Sequence, residues 1–547
     1  MNGAVPEKGI IRNIWMLSRE YGDLAGAGGV KDVVRQLAEA LAADSGVDVR
    51  VVIPCYGFIS PVKAGFEPVV DVTAPDQNLS FSVDMDYADR KRREICQVWQ
   101  RSGNGVTLFL IDSARFAEKG GVYTYTETEH RQDSMKLPGG GHYDYFAMNV
   151  LLQKAALELM ILLEEKPDVI HCHDGHTALI PAYIREWQGY RSYFRDSGCL
   201  VTIHNAGIGY HQEVDDLEFA MAITGLPDTF VSRCLLDGKF DPFLAAGEGA
   251  VLNTVSENYA RELQESDEDS RTGGLGHALL ERGVRLEGIT NGISPARFNP
   301  ADKESSGLKA HFDPGDEHDT LAGKRICKEW LLENLVAGNV PETVELYGLP
   351  GLSPGVPLFA FIGRLTHQKG VDLLLRALDG LSSLEKGWQL VILGNGMELI
   401  EADIIGLTES ADLAGRLCFL KGYDTGLAAA LYAASDFFII PSRFEPCGLT
   451  DFIAQLYGSV PIVHHIGGLV KVEDGVTGLS YIGDTAEALQ EALSRGLEVY
   501  KNGPGLRKIR KQAVDNIHKN HTWDIKCEKY RALYLQAKQS RMKGVNR

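Results

Sequence analysis

LFAFIGRLTHQKGVDLLLRAL, residues 358–378, decides how the chain is read. An apolar run fit for a buried strand (358–364) passes through a short cationic turn into a helical pattern predicted over 369–380. A strand, a turn and a helix in that order make half of a βαβ unit. The theme continues downstream in QLVILGN (389–395), RLCFLKG (416–422), a helix at 425–434, DFFIIPS (436–442) and VPIVHH (460–465). Upstream it recurs in NIWMLSREY (13–21), VRVVIPCY (49–56), VTLFLID (106–112), DVIHCH (168–173) and CLVTIHN (199–205), with helices at 30–43, 147–164 and 177–188. Such alternation predicts an α/β protein of two doubly wound, parallel-sheet domains of similar size facing each other. Ligands of these sheets sit beyond the carboxyl ends of the strands. The polar, acidic, Gly-rich ESDEDSRTGGLG (265–276) reads as the hinge, dividing the chain into 1–265 and 266–524.

Composition narrows the function. The 55 Lys and Arg stand against 74 Asp and Glu, a net charge of −19, which argues against non-specific nucleic-acid binding and against docking on anionic lipid. An anionic ligand must then meet local positive charge, and the places where Lys and Arg stand beside Gly become informative. Nine cysteines form no CxxC pair, and MNGAVPEKGIIRNIWMLSRE carries no secretory apolar core. Both features predict reduced thiols in a cytoplasmic protein. The apolar stretch Ala147–Leu163 contains Lys154 and Glu158, so it reads as an amphipathic or buried helix and not as a membrane span.

Chemistry-bearing residues fall just after strands. In GRLTHQKG (363–370), Arg364 and Lys369 flank the turn into a helix; they are either a diphosphate clamp or surface charge. No GxxxxGK[ST] occurs, so the clamp is not that of a P-loop NTPase. In PSRFEPCGLTDF (441–452), Glu445 is either a helix cap or a carboxylate that holds sugar hydroxyls, and Gly448 lies in the first turn of the next helix. Cys447 has no base beside it in sequence and reads as packing. HHIGGLVK (464–471) adds another Gly pair.

GAGGVKDV (26–33) lacks the third Gly of a dinucleotide fingerprint, because Lys31 stands there. Gly28 and Gly29 then make a plain tight turn or let amides approach an anion at a helix start. HCHDGH (171–176) admits three readings: metal ligands, satisfied buried histidines, or polar contacts to a hydroxylated ligand. Alternation along a strand puts His171 and His173 on one face, with Asp174 opening the loop. His204-Asn205 ends the next strand before the Gly-rich AGIGYH (206–211), at the same mouth of the sheet as Asp174.

With GGVKDV, HCHDGHTAL, TIHNAG, TVSENYAREL, GITNGISPARFNP, GRLTHQKGVDLLL, SDFFIIPSRFEPCGLT and GGL in this order, the chain resembles the retaining GT-B glycosyltransferases of the bacterial glycogen and starch synthase type. The resemblance spans about residues 13 to 480. It implies a GT-B fold whose Rossmann-like domains enclose a cleft, closing on the donor, with a last helix (about 525–547) crossing back onto the first domain. It implies that Arg364 and Lys369 hold the donor diphosphate, Glu445 binds glucosyl hydroxyls, and Asp174 and His204 act beside the anomeric centre. Around the donor it places Gly28, Gly29, Tyr423, Cys447, Gly448, Leu449, Thr450, Gly467, Gly468 and Leu469, with Tyr423 stacking on the nucleobase.

The implied reaction transfers glucose from ADP-glucose or UDP-glucose to an α-1,4-glucan, with no metal and no cofactor. A small sugar or sugar-phosphate acceptor, or a non-catalytic glucan-binding role, are the alternatives. Three positions depart from the family pattern: Gly26 where it has Lys, Gly175 where it has Trp, and Ile208 where it has an aromatic residue. All three lie on the acceptor-facing side.

Overall fold

The computed structural model describes residues 10–44, 46–351, 353–384 and 387–545. They fall into two compact units, one running to Gly292 and resuming at Trp523, the other Ile293–Thr522. The boundary is therefore not at 265/266, and the predicted hinge is a tightly folded part of the first unit. Its 3-10 helix Asp267–Thr272 and its helix Leu275–Glu281 are tied together by Asp269, whose carboxylate accepts from the Gly276 and His277 amides, both at 2.9 Å. A Cβ on Gly276 would stand 2.0 Å from the Leu263 carbonyl oxygen, so the segment packs where no side chain fits. Its polar composition reflects turn and capping chemistry, which sequence alone does not distinguish from a linker.

In the first unit the strands run in the order Glu287–Gly288, Val251–Thr254, Gly198–Ile203, Val169–His173, Asn13–Leu17, Asp48–Pro54, Val106–Asp112, and these seven are parallel. Lys91–Gly103 then adds antiparallel on Val106–Asp112 and carries Ser80–Asp86 with it. The βαβ reading has no place for this ribbon. Only alternate residues of its long strand (Glu94, Cys96, Val98) are buried, while the others keep the stretch polar.

The helix Tyr145–Leu162, long and apolar enough to cross a bilayer, is buried without interruption from Phe146 to Leu157. Lys154 within it donates to the Ile223 carbonyl at 2.8 Å, and burial pushes its ammonium down to about 8. The final helix Trp523–Val545 lies across the same sheet, close enough that a Cβ on Gly198 would meet the Lys538 amide nitrogen at 2.4 Å.

The second unit has seven strands, ordered Val344–Tyr347, Leu417–Gly422, Gln389–Gly394, Leu358–Ile362, Phe437–Ile440, Val460–His464, Leu479–Tyr481. All neighbours are parallel except the first, an antiparallel edge. Both faces are covered: Phe359 and Phe361 enter one apolar core, Leu358 and Ala360 the other, as strand alternation requires. In each unit the winding reverses beside the first strand of the sheet proper. The reversal falls between Asn13–Leu17 and Val169–His173 in one, and between Leu358–Ile362 and Phe437–Ile440 in the other. Those are the points where an open α/β sheet leaves a crevice at its carboxyl edge.

Candidate active site

At the switch point of the second unit, the loops after Leu358–Ile362 and after Phe437–Ile440 are laced together. The Arg443 amide donates to the Gln368 carbonyl at 2.9 Å. The Arg443 guanidinium grips Asp372 at 2.6 and 2.8 Å, at the start of the helix Val371–Leu384. Gly370, at φ +67°, lets the loops touch, since a Cβ there would lie 1.9 Å from the Pro441 carbonyl oxygen. Across this seam the Lys369 ammonium meets Glu445 Oε2 at 2.6 Å, and the Ser442 hydroxyl donates to the same oxygen at 2.9 Å. Burial acts to raise the Glu445 carboxyl, but Lys369 and Ser442 outweigh it and hold it below the ordinary carboxylate range. Arg364 is exposed, and its guanidinium has no partner among the described residues.

The other predicted donor residues of the second unit gather on the same edge. The Gly468 amide donates to the Glu445 carbonyl at 2.9 Å, and a Cβ on Gly467 (φ +53°) would meet that carbonyl oxygen at 2.1 Å. Gly448 has φ +72°, Cys447 is buried, Leu449 precedes and Thr450 begins the short helix Thr450–Leu456, and Leu469 is wholly buried. Tyr423, directly after the strand Leu417–Gly422, is 58% exposed. Lys471, which sequence reasoning passed over, pins these loops. Its ammonium donates to the carbonyls of Cys447 (2.5 Å), Gly448 (3.0 Å) and Gly468 (3.0 Å), and lies 3.1 Å from Asp451 Oδ1. Burial raises the Asp451 carboxyl to about 6 against the pull of Lys471. Lys471 stands two residues after Leu469, in the quoted HHIGGLVK, and was there to be seen.

On the carboxyl edge of the first sheet, Asp174 directly follows the strand Val169–His173 at φ +59°, a costly conformation for a non-glycine residue. Its Oδ1 accepts the amides of His204 (2.7 Å) and Asn205 (3.4 Å), tying two strand ends together. Burial raises the Asp174 carboxyl to about 7 despite those amides. His204 Nε2 lies 2.9 Å from His173 Nδ1, and burial drives the His204 imidazole down to about 3. His171 and His173 do share a face, their rings tilted against each other with centroids 4.2 Å apart.

Gly28 and Gly29 open the helix Val30–Ala42, but the anion at this turn is the chain's own. Glu20 Oε2 accepts the amides of Ala27 (2.8 Å) and Gly28 (3.1 Å), and Glu20 Oε1 accepts from the Tyr123 hydroxyl at 2.7 Å. That corrects the expectation of a Gly28 amide aimed at a ligand. The departures also have physical reasons. A Cβ on Gly175 would meet the His211 carbonyl oxygen at 2.2 Å, because His211 is pulled in by Asp241 at 2.8 Å. A Cβ on Gly26 would meet Lys31 Cδ at 2.1 Å, so the Lys31 stem fills the space of a side chain at 26. Ile208 is 69% exposed.

Comparison with known proteins finds a family match in each unit. The starch synthase catalytic domain family matches residues 13–281, and the glycosyl transferases group 1 family matches residues 350–515. The glycogen synthase of Exiguobacterium sibiricum is 31% identical over 536 residues, 95% of this chain and 98% of that one. Glycogen synthase 2 of Geobacter sulfurreducens is 30% identical over 543 residues, 96% and 99% of the two chains. The catalytic domain of starch synthase IV from Arabidopsis thaliana, solved bound to ADP and acarbose, superposes with a TM-score of 0.75 at 26% identity over 97% of this chain and all of that one. Sucrose-phosphate synthase from Thermosynechococcus elongatus shares the fold, with a TM-score of 0.54 at 18% identity over 96% of this chain and 98% of that one.

Proposed function

We propose that this chain, which belongs to the glycogen and starch synthase family of glycosyltransferases, transfers glucose from ADP-glucose or UDP-glucose to the non-reducing end of an α-1,4-glucan, with retention at the anomeric carbon. The observation that carries this reading is the Lys369–Glu445 pair at the switch point, with Arg364 on the same loop as Lys369 and unpartnered among the described residues. One carboxylate and two cations suit a ligand that is a sugar at one end and a diphosphate at the other. The starch synthase neighbour is bound to ADP and acarbose, which supports a donor and an acceptor of those classes here.

The mechanism follows from charge. As the glycosidic C–O bond breaks, its electron pair passes to the diphosphate and the sugar becomes oxocarbenium-like. Arg364 and Lys369 stabilise the growing negative charge, and one such donor is worth about 3–4 kcal/mol. Glu445 accepts from glucosyl hydroxyls. Asp174 and His204 act beside the anomeric centre, where a carboxylate at 174 opposes the positive charge. The acceptor hydroxyl attacks on the face the phosphate leaves and passes its proton to the departing phosphate oxygen. Tyr423 stacks on the nucleobase, and the Gly448 and Gly467–Leu469 loops line the donor. The Gly28–Gly29 turn contributes through its placement, its Gly28 amide being held by Glu20.

A small sugar or sugar-phosphate acceptor is the second reading, favoured by Gly26 and Gly175 on the first unit. All nine cysteines are buried and unpaired, in keeping with a reducing, cytoplasmic setting. The test is nucleoside diphosphate release from ADP-glucose and UDP-glucose with glycogen, maltose or glucose 6-phosphate as acceptor. Release with glycogen is expected. Release with a small acceptor alone favours the second reading, and no release with any acceptor overturns both.

A further inference from the structure

The side chain that decides what His204 offers a substrate is not in the active site but behind it. His204 is 7% exposed, and its Nε2 faces His173 Nδ1 at 2.9 Å. Its Nδ1 has no partner among the described residues and is not sealed from solvent. His173 is fixed in turn. Its ring lies against His171, 4.2 Å between centroids. His171 is anchored by Thr202 Oγ1 at 2.7 Å and by the Tyr534 hydroxyl, from the final helix, at 3.0 Å. The Thr202 hydroxyl donates to Asn253 Oδ1 at 2.6 Å, so its oxygen accepts the Nε2–H of His171. His171 then takes the Tyr534 hydroxyl proton on a bare Nδ1. It is a neutral ring with both nitrogens satisfied.

One proton lies between His173 and His204, and it has two places to be. On His204 Nε2, it leaves His173 to carry its own proton on Nε2, a buried atom with no partner among the described residues. A buried N–H without an acceptor forfeits its full hydration, and such donors are rarer in folded proteins than under-satisfied acceptors. On His173 Nδ1, the proton makes the same hydrogen bond, and the orphaned atom at His173 Nε2 is only a lone pair. Burial disfavours an imidazolium at either ring and leaves the neutral pair.

We propose that His173 is a positioning residue that holds His204 as the Nδ1–H tautomer, so that His204 presents the substrate with a hydrogen-bond donor and not a base. The inference rests on the proposed place of His204 beside the anomeric centre. A donor there polarises a sugar or phosphate oxygen throughout the reaction, whereas the other tautomer would turn a lone pair toward the same oxygen.

The tautomer is readable without substrate. Long-range 1H–15N correlation on protein labelled at its histidine ring nitrogens should show His204, identified by its loss in His204→Ala, protonated at Nδ1. In His173→Phe the hydrogen bond that fixes the His204 ring is lost, and kcat should fall about tenfold or more, as loss of an orienting partner does, with donor KM little changed. His173→Asn places an amide donor near the lost Nδ1 and should restore kcat to within about threefold of wild type.

A wild-type His204 protonated at Nε2 overturns the proposal. So does a folded His173→Phe with unaltered kcat, or an inactive His173→Asn whose melting temperature matches wild type. If His173→Phe does not fold, the wild-type spectrum and the Asn variant still decide. Full transfer activity in His204→Ala would instead remove His204 from the proposed site while leaving its tautomer measurable.

Discussion

The Lys369 ammonium and the Glu445 carboxylate are joined at 2.6 Å across two different loops, so the clamp in the second unit rests as a neutral pair. Lys369 spends one of its three N–H groups on Glu445, and the side chain remains 24% exposed. An arriving diphosphate can therefore be bound without breaking the pair, while Glu445 keeps a second oxygen for a hydroxyl. The strongest anion contacts are left to Arg364, which starts unpartnered among the described residues.

Removing any of the three groups should lower turnover, by different routes. Arg364→Ala and Lys369→Ala should each reduce kcat/KM about 100-fold or more, as the loss of one transition-state donor does. Glu445→Gln should depress kcat while nucleoside diphosphate affinity, read by calorimetry, stays near wild type. The Lys369→Ala and Glu445→Gln effects should be strongly non-additive, because each leaves the other's partner missing. Wild-type rates in all three variants would place the site elsewhere.

Chelation should leave the rate unchanged. In the proposed mechanism Arg364 and Lys369 supply the charge that a divalent ion would otherwise have to supply. Activity lost with EDTA and regained with a divalent ion would contradict this and restore the metal reading of HCHDGH.

Asp174 should give the enzyme an acidic limb. Its folded carboxyl titrates at about 7 against an ordinary 3.8, because burial disfavours its charge. Between those values the folded protein binds a proton that the unfolded chain does not. This group's contribution to stability therefore falls as pH rises from about 4 to about 7 and is level above. In the proposed mechanism the carboxylate is the working form, so kcat/KM should rise through the same upper value, since it reports the free enzyme. Asp174→Asn should flatten both profiles and lower kcat. A limb near neutrality that survives Asp174→Asn belongs to another group.

Lys471 should matter to stability first and to the donor second. Its ammonium lies 3.1 Å from a carboxylate oxygen of the fully buried Asp451, and it holds three loop carbonyls. Lys471→Met should cost about 3–5 kcal/mol in denaturant unfolding, the usual result of stranding a buried charge. The loss should shrink as pH falls, because an unpaired Asp451, already raised to about 6, then takes up a proton. Adding Asp451→Asn should recover stability but not the donor KM, since the Cys447, Gly448 and Gly468 carbonyls stay untethered.

Much of this was legible where one period dominates. The strand Val106–Asp112 lies where its run of apolar residues puts it, and Arg364, Lys369 and Glu445 stand on the carboxyl edge, as residues just after strands must. Features fixed by contacts distant in sequence were not legible. Glu20 reaches seven and eight residues along the chain to occupy the Gly28 turn, and nothing in GAGGVKDV announces that. The acidic 265–276 stretch has the composition of a linker, yet its polar groups are consumed by Asp269, Gly276 by close packing, and Gly273 and Gly274 by left-handed backbone. Composition reports which groups are present, not whether they find partners.

The space above Gly26 yields the last prediction. The family pattern has a lysine here, and Lys31 cannot be presumed to take its place. The Lys31 stem crosses Gly26, but its ammonium turns to Asp32 at 3.3 Å and Asp23 at 3.6 Å, pairs of the partly exposed kind that contribute about 1 kcal/mol or less. Lys31→Ala should then change donor KM and kcat by less than about threefold. Gly26→Lys alone should destabilise the fold, because its Cβ would stand 2.1 Å from Lys31 Cδ and 2.8 Å from Lys31 Cβ, the latter too near the backbone to swing away. With Lys31→Gly added, both obstructing atoms are gone, and the new ammonium should lower donor KM below wild type with most of the stability restored. Activity assays and thermal unfolding on the three variants read both effects. A fall of about 100-fold in kcat/KM for Lys31→Ala alone would show that Lys31 already serves as the first unit's cation toward the donor.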